Sequence, residues 1–355
     1  MDQTIKRFAS VVIVAASLAF TSSVSRADIL LDYSNDSFFA GNATARAALE
    51  AAAFDINSVI NFNLNAVTMD TVSGTSGGGS TQLDFDFSYG YSNPNTGASV
   101  TIANTQLATN EIRIFVGMRN LTGSTLGQGG PGGVGLQISG FTGAGSAQDA
   151  VNDAMSQYEH RRGGGPVISN LSGSIAGANY SFDIGSTVGN LWFDQDTDNN
   201  GSTDSAATLD ANWHFNHLTS VAAGKDDFYS VALHEILHSI GYGTGDTWDS
   251  LRSGTTWMGA EGIAANGTGV GLIDGGGAHI AGGTQSARFL DGVLQDAVMT
   301  PSITTGTRKK LTQLDLAILR DLGYSTTSAV PEPGSLTFLL VVGCIVGCKR
   351  RRSIA

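Results

Sequence analysis

The segment that decides the fold runs from residue 226 to residue 241, DDFYSVALHEILHSIG. Its centre holds a His-x-x-x-His pair, His234 and His238, with Glu235 between them. Apolar residues around the pair, and two aspartates before it, predict a buried helix over 228–240. Histidines four residues apart lie on one face of a helix, so both imidazoles can bind a single metal ion. Glu235 can then contact a water molecule beside that ion without being a ligand.

The pattern is rare for a chain of this composition. The sequence has six histidines and six glutamates among 355 residues. A random arrangement of those residues would contain about 0.002 copies of the pattern. Two exposed histidines on a surface helix are therefore the disfavoured alternative, and the segment predicts a metal site.

A third ligand has to come from elsewhere, because two imidazoles bind a metal ion weakly. The candidates after the helix are His279, Asp246, Asp249 and Glu261. His279 is the only histidine in this part of the sequence, and neutral imidazole suits zinc. Asp246 and Asp249 stay open as alternatives, since a carboxylate can complete a site that has two histidines.

The segment from His234 to Gly241 resembles the metzincin metallopeptidases, which continue the pattern to a glycine and then a third histidine. Gly241 is present, but Thr244 stands where that histidine would follow, and threonine is a poor zinc ligand. Glu261 as the third ligand would imply a different class of zincin. Its Gly/Ala-rich surroundings do not predict the second helix that such enzymes use.

The later sequence is similar to the leishmanolysin-type metzincins. Residues 296–301, DAVMTP, resemble their Met-turn, and residues 311–324 resemble their closing helix. In that family an insertion follows the helix glycine, and the third histidine comes shortly before the Met-turn. His279 lies in this order, 20 residues before Met299. The resemblance therefore implies His279 as the third zinc ligand and Met299 as an apolar floor beneath the metal.

The implied activity is that of a zinc metalloendopeptidase. Three protein ligands leave a fourth position for water, whose pKa the zinc ion lowers. Glu235 would accept the proton of this zinc-activated water as it attacks a peptide bond, and then pass it to the leaving amine. The alternative is a catalytically idle zinc- or calcium-binding surface or matrix protein on a zincin scaffold. The presence of Glu235 argues against that alternative, because a purely structural zinc needs no base.

A second metal site is predicted in residues 194–204, DQDTDNNGSTD. Alternating acidic or amide side chains followed by a glycine are typical of a calcium loop. The candidate calcium ligands are Asp194, Asp196, Asp198, Asn200 and Asp204. Ala207 stands where an EF-hand has its bidentate glutamate, so the loop is not a regular EF-hand. A solvated acidic turn is the simpler alternative, and calcium-dependent adhesion is a third functional hypothesis.

The N-terminus predicts a secretory signal peptide over residues 1–27. Lys6 and Arg7 precede an apolar run from 8 to 20, and Ser25 and Ala27 supply the small residues of a cleavage site. The mature chain is therefore expected to begin at Asp28, outside the cytoplasm.

The C-terminus, residues 330–355, resembles the PEP-CTERM sorting signal of bacteria. Val330 begins a Val-Pro-Glu-Pro-Gly segment, an apolar stretch covers 336–348, and four basic residues follow at 349–352. The resemblance implies transient membrane insertion of the tail and processing by an exosortase-type machinery. The domain would then reach the cell surface or the medium. A simple tail anchor is the alternative.

Cysteine content and charge narrow the function further. Both cysteines, Cys344 and Cys348, lie in the tail, so the metal of the mature domain must be held by His, Asp or Glu. Residues 28–330 keep 29 of the 31 acidic and 12 of the 19 basic residues, a net charge of −17. Such a domain is a poor candidate for binding nucleic acid, and its expected partner is a protein or peptide substrate.

The order of predicted elements indicates an α+β fold, and the resemblance to the metzincins implies that this fold is of the zincin or metzincin type. Helices are predicted at 44–60, 147–160, 228–240 and 311–322. Strands are predicted at 82–91, 99–103, 111–118 and 133–141, and around 180–184 and 191–193. The metallopeptidase domain, 28–329, would consist of a sheet-containing N-terminal lobe (28–240) with the active-site helix and a smaller irregular C-terminal lobe (241–329).

Overall fold

The computed structural model describes residues 28–103, 105–158 and 160–327. The predicted signal peptide, 1–27, and the predicted sorting tail, 330–355, lie outside these ranges. Across the described ranges, no helix is both long and apolar enough to cross a membrane. The fold is mixed, with several sheets and eight helices among the described residues, and it is compatible with the predicted α+β class.

The helices agree largely with the periodicity of the sequence. They are α1 (Phe38–Gly41), α2 (Ala43–Val59), α3 (Ala147–Ser156), α4 (Ala206–Asn212), α5 (Phe228–Ser239), α6 (Asp246–Ser250), α7 (Ala260–Asn266) and α8 (Gln313–Asp321). The predictions of α2, α5 and α8 are confirmed, with ends that differ by one or two residues. The helix predicted at 147–160 is shorter and ends at Ser156. A short helix, α7, forms around Glu261, where the sequence did not predict one.

The strands are more numerous than the alternation of side chains predicts. The first nine are β1 (Asp28–Asp32), β2 (Ile60–Asn61), β3 (Thr71–Ser76), β4 (Thr81–Ser92), β5 (Ser99–Ile102), β6 (Glu111–Arg119), β7 (Gly127–Pro131), β8 (Gly133–Phe141) and β9 (Val167–Ile175). The others are β10 (Ala178–Gly185), β11 (Val188–Asp194), β12 (Trp213–His214), β13 (Asp226–Asp227), β14 (Arg252–Ser253), β15 (Thr256–Trp257), β16 (Gln285–Ala287), β17 (Leu294–Asp296) and β18 (Ser325–Thr326). All six predicted strands are confirmed. Of the remaining strands, those with four or more residues are β1, β3, β7 and β9, and these were not predicted.

One four-stranded sheet lies next to α5 and has the order β1-β6-β11-β7. Strands β1, β6 and β11 are parallel, and β7 runs antiparallel to β11 at the edge. Every residue of β11 is buried, as expected for a strand that is covered on both faces. Helix α5 packs against β7 and β11 on one side and against α2 on the other. The metal-binding pattern therefore lies beneath the edge strand of this sheet.

A second sheet contains β3, β4 and β5, with β8 paired to β4. Gly132 joins β7 directly to β8, so the chain passes from one sheet into the other at this residue. Helix α3 packs on β3, β4 and β10, and β10 forms a hairpin with β9. The buried rings of Phe85, Phe87 and Phe182 fill the core between these elements.

The larger of the two apolar cores surrounds α5. It includes residues before Gly241, such as Leu233 and Leu237, and residues after it, such as Trp248 and Met299, all of them fully buried. The helix that carries the metal-binding pattern is thus fixed at the centre of this core. The division into lobes at residue 241 stays a prediction.

Candidate metal centre

Helix α5 begins and ends at residues whose chemistry defines its ends. At its start, Asp227 Oδ2 accepts hydrogen bonds from the Ser230 backbone N–H (3.1 Å) and from the Ser230 hydroxyl (2.6 Å). Asp227 is fully buried, and its charge is paired with Arg308 at 2.7 Å. The helix ends before Gly241, whose φ of +104° is a left-handed conformation that favours glycine.

Three imidazoles meet at the cleft side of α5. His238 Nε2 lies 3.1 Å from His234 Nε2 and 3.2 Å from His279 Nε2. In a tetrahedral site with metal–nitrogen bonds of about 2.0–2.1 Å, two ligand nitrogens lie about 3.3 Å apart. The three side chains therefore fit the spacing that one ion of this size requires. Three imidazoles are a donor set that suits zinc, copper, iron or nickel.

Backbone carbonyl groups orient the two helix histidines. His234 Nδ1 lies 2.9 Å from the Val298 carbonyl oxygen, and His238 Nδ1 lies 2.7 Å from the Tyr242 carbonyl oxygen. A carbonyl accepts only, so each Nδ1 must carry the proton and donate it. Each Nε2 then presents its lone pair to the other imidazoles, which is the tautomer that a metal ligand needs.

A tight turn carries His279 to the other two histidines. Asp274 Oδ1 accepts hydrogen bonds from the backbone N–H groups of Gly277 (2.7 Å) and His279 (3.3 Å). Asp274 Oδ2 lies 3.5 Å from His279 Nδ1. Directly after the turn, the Ile280 N–H donates to the Met299 carbonyl oxygen at 2.9 Å. The chain that leaves α5 at residue 241 therefore returns beside Met299, with the ring of His279 facing α5.

The other candidates for the third ligand contact groups away from the imidazoles. Asp246 accepts a hydrogen bond from the Asn170 backbone, Asp249 pairs with Arg252, and Glu261 pairs with Arg320. The Thr244 hydroxyl donates to the His238 carbonyl oxygen at 2.7 Å, so it supports the end of the helix. Of the four candidates, the structure brings only His279 to His234 and His238.

Burial keeps all three imidazoles neutral. Desolvation, followed by the proximity of His238, lowers the pKa of His234 well below its ordinary value. Burial and then the neighbouring His279 lower the pKa of His238 to about 4. Burial also lowers the pKa of His279, although Asp274 acts in the opposite direction. Because a metal binds the unprotonated nitrogen, the site is ready for a metal ion at neutral pH.

Glu235 lies against the edge strand β7 and is only 6% exposed. Burial raises the pKa of its carboxyl group to about 8, and the Gly129 backbone N–H acts in the opposite direction as a donor. A Cβ atom on Gly127 would lie 2.9 Å from Glu235 Cγ, and one on Gly129 would lie 2.3 Å from the Glu235 backbone oxygen. The two glycines therefore allow β7 to contact the helix at this carboxylate.

One buried carboxylate, that of Asp315, holds the turn at Met299 in place. Asp315 accepts hydrogen bonds from the backbone N–H groups of Val298 (3.1 Å) and Met299 (3.4 Å). It also forms a capping box with Thr312 at the start of α8. Helix α8, the predicted closing helix, thus fixes the turn at Met299. This turn places the Val298 carbonyl oxygen beside His234.

A cleft of about 1040 Å³ extends from the three histidines. Residues 127–130 of β7 line it, as do Ser230 of α5 and Thr300 and Ser302 after the Met299 turn. Lys309 lies in the same wall and is 7% exposed. After burial, its positive charge is one of the causes that lower the pKa of His234 and of His279.

The predicted calcium loop forms a compact turn that also reaches the cleft. Carboxylate oxygens of Asp196, Asp198 and Asp204 lie within 4.8 Å of one another. Asp194 lies outside this group, and its Oδ1 accepts hydrogen bonds from the backbone N–H groups of Leu121 and Asp196. The Asn200 side chain bonds within the turn, to Asp198 and to the Ser202 backbone. Calcium binding here stays a prediction for the three grouped aspartates.

The chain has no match among protein-family models, curated proteins or solved structures. The chemistry of the site therefore has to follow from its own side chains. They supply three neutral nitrogens for one metal ion, a buried carboxyl group beside them, and an open cleft.

Several residues of the site were not predicted from the sequence. Asp274 and Asp315 had local signals, because an Asp followed by glycines favours a turn and a Thr-x-x-Asp pattern favours a helix start. Gly129 and Lys309 had none. Each acquires its position through contacts with residues far away in the sequence, Glu235 for the glycine and Ser230 for the lysine.

Proposed function

We propose that the chain is an exported zinc metalloendopeptidase of the leishmanolysin-like metzincin type. The observation that carries this proposal is the convergence of three neutral imidazoles, His234, His238 and His279, beside the buried carboxyl group of Glu235. A third imidazole and a general base are the two groups that a catalytic zinc site needs in addition to the helix pair.

The edge strand β7 supports a peptide as the substrate. Among the described strands, β7 pairs with β11 on one side only, and residues 127–130 line the cleft on the other. An exposed edge offers unpaired backbone groups, to which an extended peptide can add as a further strand. Such a peptide would lie over α5, with a carbonyl group close to the three histidines.

The residues divide the chemistry between them. His234, His238 and His279 would hold the zinc ion, which supplies Lewis acidity toward the peptide carbonyl and the attacking water. The Glu235 carboxylate accepts a proton from this water as the water oxygen bonds to the carbonyl carbon. Glu235 then donates the proton to the leaving nitrogen as the C–N bond breaks.

The environment of Glu235 suits this exchange of a proton. Burial raises the pKa of Glu235 to about 8. A carboxyl group whose pKa lies near the working pH can both accept a proton and return it. The positive charge of a bound cation lowers that pKa and favours the carboxylate that acts as the base. A purely structural metal would not require this carboxyl group. The position of Glu235 therefore favours an enzyme over a catalytically idle surface or matrix protein.

The proposed location rests on the two ends of the sequence. Residues 1–27 would direct export, and residues 330–355 would pass the chain to an exosortase-type machinery that releases it to the bacterial surface or the medium. The net charge of −17 between them favours a protein or peptide partner over nucleic acid.

Metal analysis and a casein-type assay on the purified protein test the proposal. We expect about one zinc ion per chain and hydrolysis that a chelator abolishes and added zinc restores. Glu235→Gln should keep the zinc and lose activity by about 1,000-fold, because the amide cannot accept the proton. Glu261→Gln, an exposed position paired with Arg320, is the matched control and should keep both properties. Unchanged turnover in zinc-loaded Glu235→Gln would rule out the mechanism.

A further inference from the structure

Lys309 is a buried cation without a carboxylate partner. Its Nζ donates to the Thr300 hydroxyl at 2.5 Å and to the Ser302 carbonyl oxygen at 2.7 Å, both of which are neutral. No ion pair of Lys309 occurs among the described residues. An ammonium group has three N–H donors, so one donor is left after these two bonds.

A cation in this position is unfavourable unless an anion joins it. Lysine is almost never buried without a partner, because desolvation of the ammonium group is costly. The charges of Asp296 and Asp315 both act on Lys309, but neither carboxylate forms an ion pair with it, and that of Asp315 accepts hydrogen bonds from Val298, Met299 and Thr312. Asp226 also lines the cleft and has no ion pair with Lys309. None of these acids contacts the Lys309 ammonium group directly, so its third N–H donor is open to an anion from outside the chain.

The backbone places Lys309 one helical turn from the metal centre. The Lys309 N–H donates to the Ser230 hydroxyl at 2.7 Å. Ser230 is four residues before His234, so the two side chains are neighbours on one face of α5. The same cleft is also lined by Thr300 and Ser302, which follow directly after the turn that orients His234. A group in contact with Lys309 is thus close to a peptide bond held at the histidines.

We propose that this pocket, formed by Ser230, Thr300, Ser302 and Lys309, binds a carboxylate of the substrate peptide next to the scissile bond. The carboxylate is either the side chain of a Glu or Asp residue or the α-carboxylate of a peptide that ends there. The inference rests on the proposed peptidase function and adds a substrate class to it: peptides that carry a negative charge beside the cleaved bond.

Matched peptides and the full chain loaded with zinc test the pocket. The peptides differ only at the two residues that flank the cleaved bond, with Glu, Gln, Leu or Lys at each position in turn. We expect kcat/KM for the best Glu peptide to exceed that for its Gln counterpart by about 10-fold or more, as for a charge-assisted hydrogen bond. Lys309→Met should reduce this ratio to near 1, and Lys309→Arg should preserve it.

A merely structural lysine gives a different result. If Lys309 only ties the segment after Met299 to Ser230, then Lys309→Met lowers kcat/KM for all peptides by the same factor and the Glu/Gln ratio stays unchanged. That outcome, or a ratio near 1 in the wild type for every peptide, overturns the proposal. If Lys309→Met does not fold, the Glu/Gln ratios of kcat/KM for the wild type and for Lys309→Arg still test the pocket.

Two further measurements separate the sources of the carboxylate and the two proposals. A peptide that ends one residue after the cleaved bond is compared with its C-terminal amide, since a preference for the free acid alone assigns the pocket to the α-carboxylate.

Binding of Glu and Gln peptides to Glu235→Gln, with and without Lys309→Met, is measured by calorimetry. A Glu preference that depends on Lys309 supports the pocket even if no peptide is cleaved, whereas equal dissociation constants overturn it. Chelator-sensitive casein hydrolysis without a Glu preference leaves the peptidase intact and removes only the pocket.

Discussion

Gly129 lies so close to Glu235 that a Cβ atom at position 129 would be 2.3 Å from the Glu235 backbone oxygen. Real Cβ atoms do not approach a backbone oxygen to this distance, so an alanine would force β7 away from α5. Strand β7 forms one wall of the cleft, and the Gly129 N–H points to the carboxyl group of Glu235. The distance between the proposed peptide-binding strand and the proposed base is therefore set by a glycine.

We expect Gly129→Ala to lose at least 10-fold in kcat/KM while it keeps its zinc. The three histidines lie on α5 and on the turn at residue 279, so none of the proposed metal ligands belongs to β7. Displacement of the strand moves the substrate relative to Glu235, and a shift of about 1 Å can cost 100-fold in rate. Peptide hydrolysis and zinc content, measured on the same sample, check this prediction.

Gly133→Ala is the matched control for this variant. Gly133 belongs to the same glycine-rich stretch, but no atom lies within 4 Å of its added Cβ, and it does not line the cleft. Its activity should equal that of the wild type. Equal activity in Gly129→Ala would mean that the contact between β7 and α5 does not position the substrate.

The helices of the site could be predicted because their signals are local. Helix α5 has an aspartate at its start, apolar residues along its length and a glycine at its end, within 15 consecutive residues. Helix α8 has the Thr312–Asp315 capping box and a three- and four-residue apolar spacing. The order of His279 and Met299 in the sequence also indicated the third member of the histidine group, which the fold then brings together.

The strands and contacts that complete the site could not be predicted in this way. Strand β7 consists mainly of glycine and has no alternation of apolar and polar side chains, so its pairing depends on β11, about 60 residues away. Lys309 has no motif, and its place in the cleft follows from Ser230 and Thr300. The helix predicted at 147–160 ends at Ser156, and His160 beyond it packs into an aromatic cluster of the second core, a contact that the helical periodicity does not reveal.

A second prediction concerns the aspartates at 196, 198 and 204. If they bind calcium, EGTA should lower the melting temperature of the wild type, because a ligand that binds only the folded chain stabilises it. The same EGTA should leave the melting temperature of Asp196→Ala/Asp198→Ala unchanged. Thermal unfolding of the zinc-free proteins with and without EGTA makes the comparison, because EGTA also binds zinc.

Asp210→Ala serves as the control for the calcium prediction. Asp210 is an exposed aspartate of α4, so this variant removes one acidic charge nearby without touching the cluster. It should retain the full EGTA effect. If EGTA shifts all three proteins equally, the calcium lies elsewhere, and if it shifts none, the turn is a solvated acidic loop.

A third prediction concerns the pH dependence of stability. His160 is buried against the rings of Phe87 and Tyr158, and the Tyr89 hydroxyl bonds to its Nδ1. Burial lowers its pKa to about 4. The folded state therefore binds this proton less readily than the unfolded chain does. The contribution of the neutral His160 ring to the free energy of unfolding is complete above pH 6.5. About 3 kcal/mol of this contribution is lost as the pH falls toward 4.

His160→Gln should therefore flatten the acid side of the stability curve. The free energy of unfolding is measured in urea between pH 7 and 4.5, with a chelator present so that the metal site contributes equally to all variants. The difference between wild type and His160→Gln should shrink as the pH falls. His214→Gln, on the short strand β12, is the control and should follow the wild type. A difference that is constant with pH would show that His160 does not titrate on unfolding.

The last prediction concerns the third metal ligand, where the sequence has Thr244 in place of a histidine. The His279 ring reaches His238 at 3.2 Å, whereas Asp249 pairs with Arg252. We therefore expect His279→Ala to lose most of its zinc on dialysis and to have negligible activity, because two imidazoles hold the ion weakly. Asp249→Ala and Asp246→Ala should keep both zinc and activity.

Asp274→Asn gives a graded version of the same test. Asp274 holds the turn through backbone N–H groups and lies 3.5 Å from His279 Nδ1, so the amide can keep the turn but loses the negative charge beside the ring. Loss of such a supporting carboxylate typically weakens metal binding by about 10- to 100-fold. Competition with a chromogenic chelator should rank zinc affinity as wild type, then Asp274→Asn, then His279→Ala. If Asp249→Ala instead loses its zinc and His279→Ala keeps it, the third ligand is the carboxylate, and the leishmanolysin-like arrangement is wrong even though the helix pair still binds the metal.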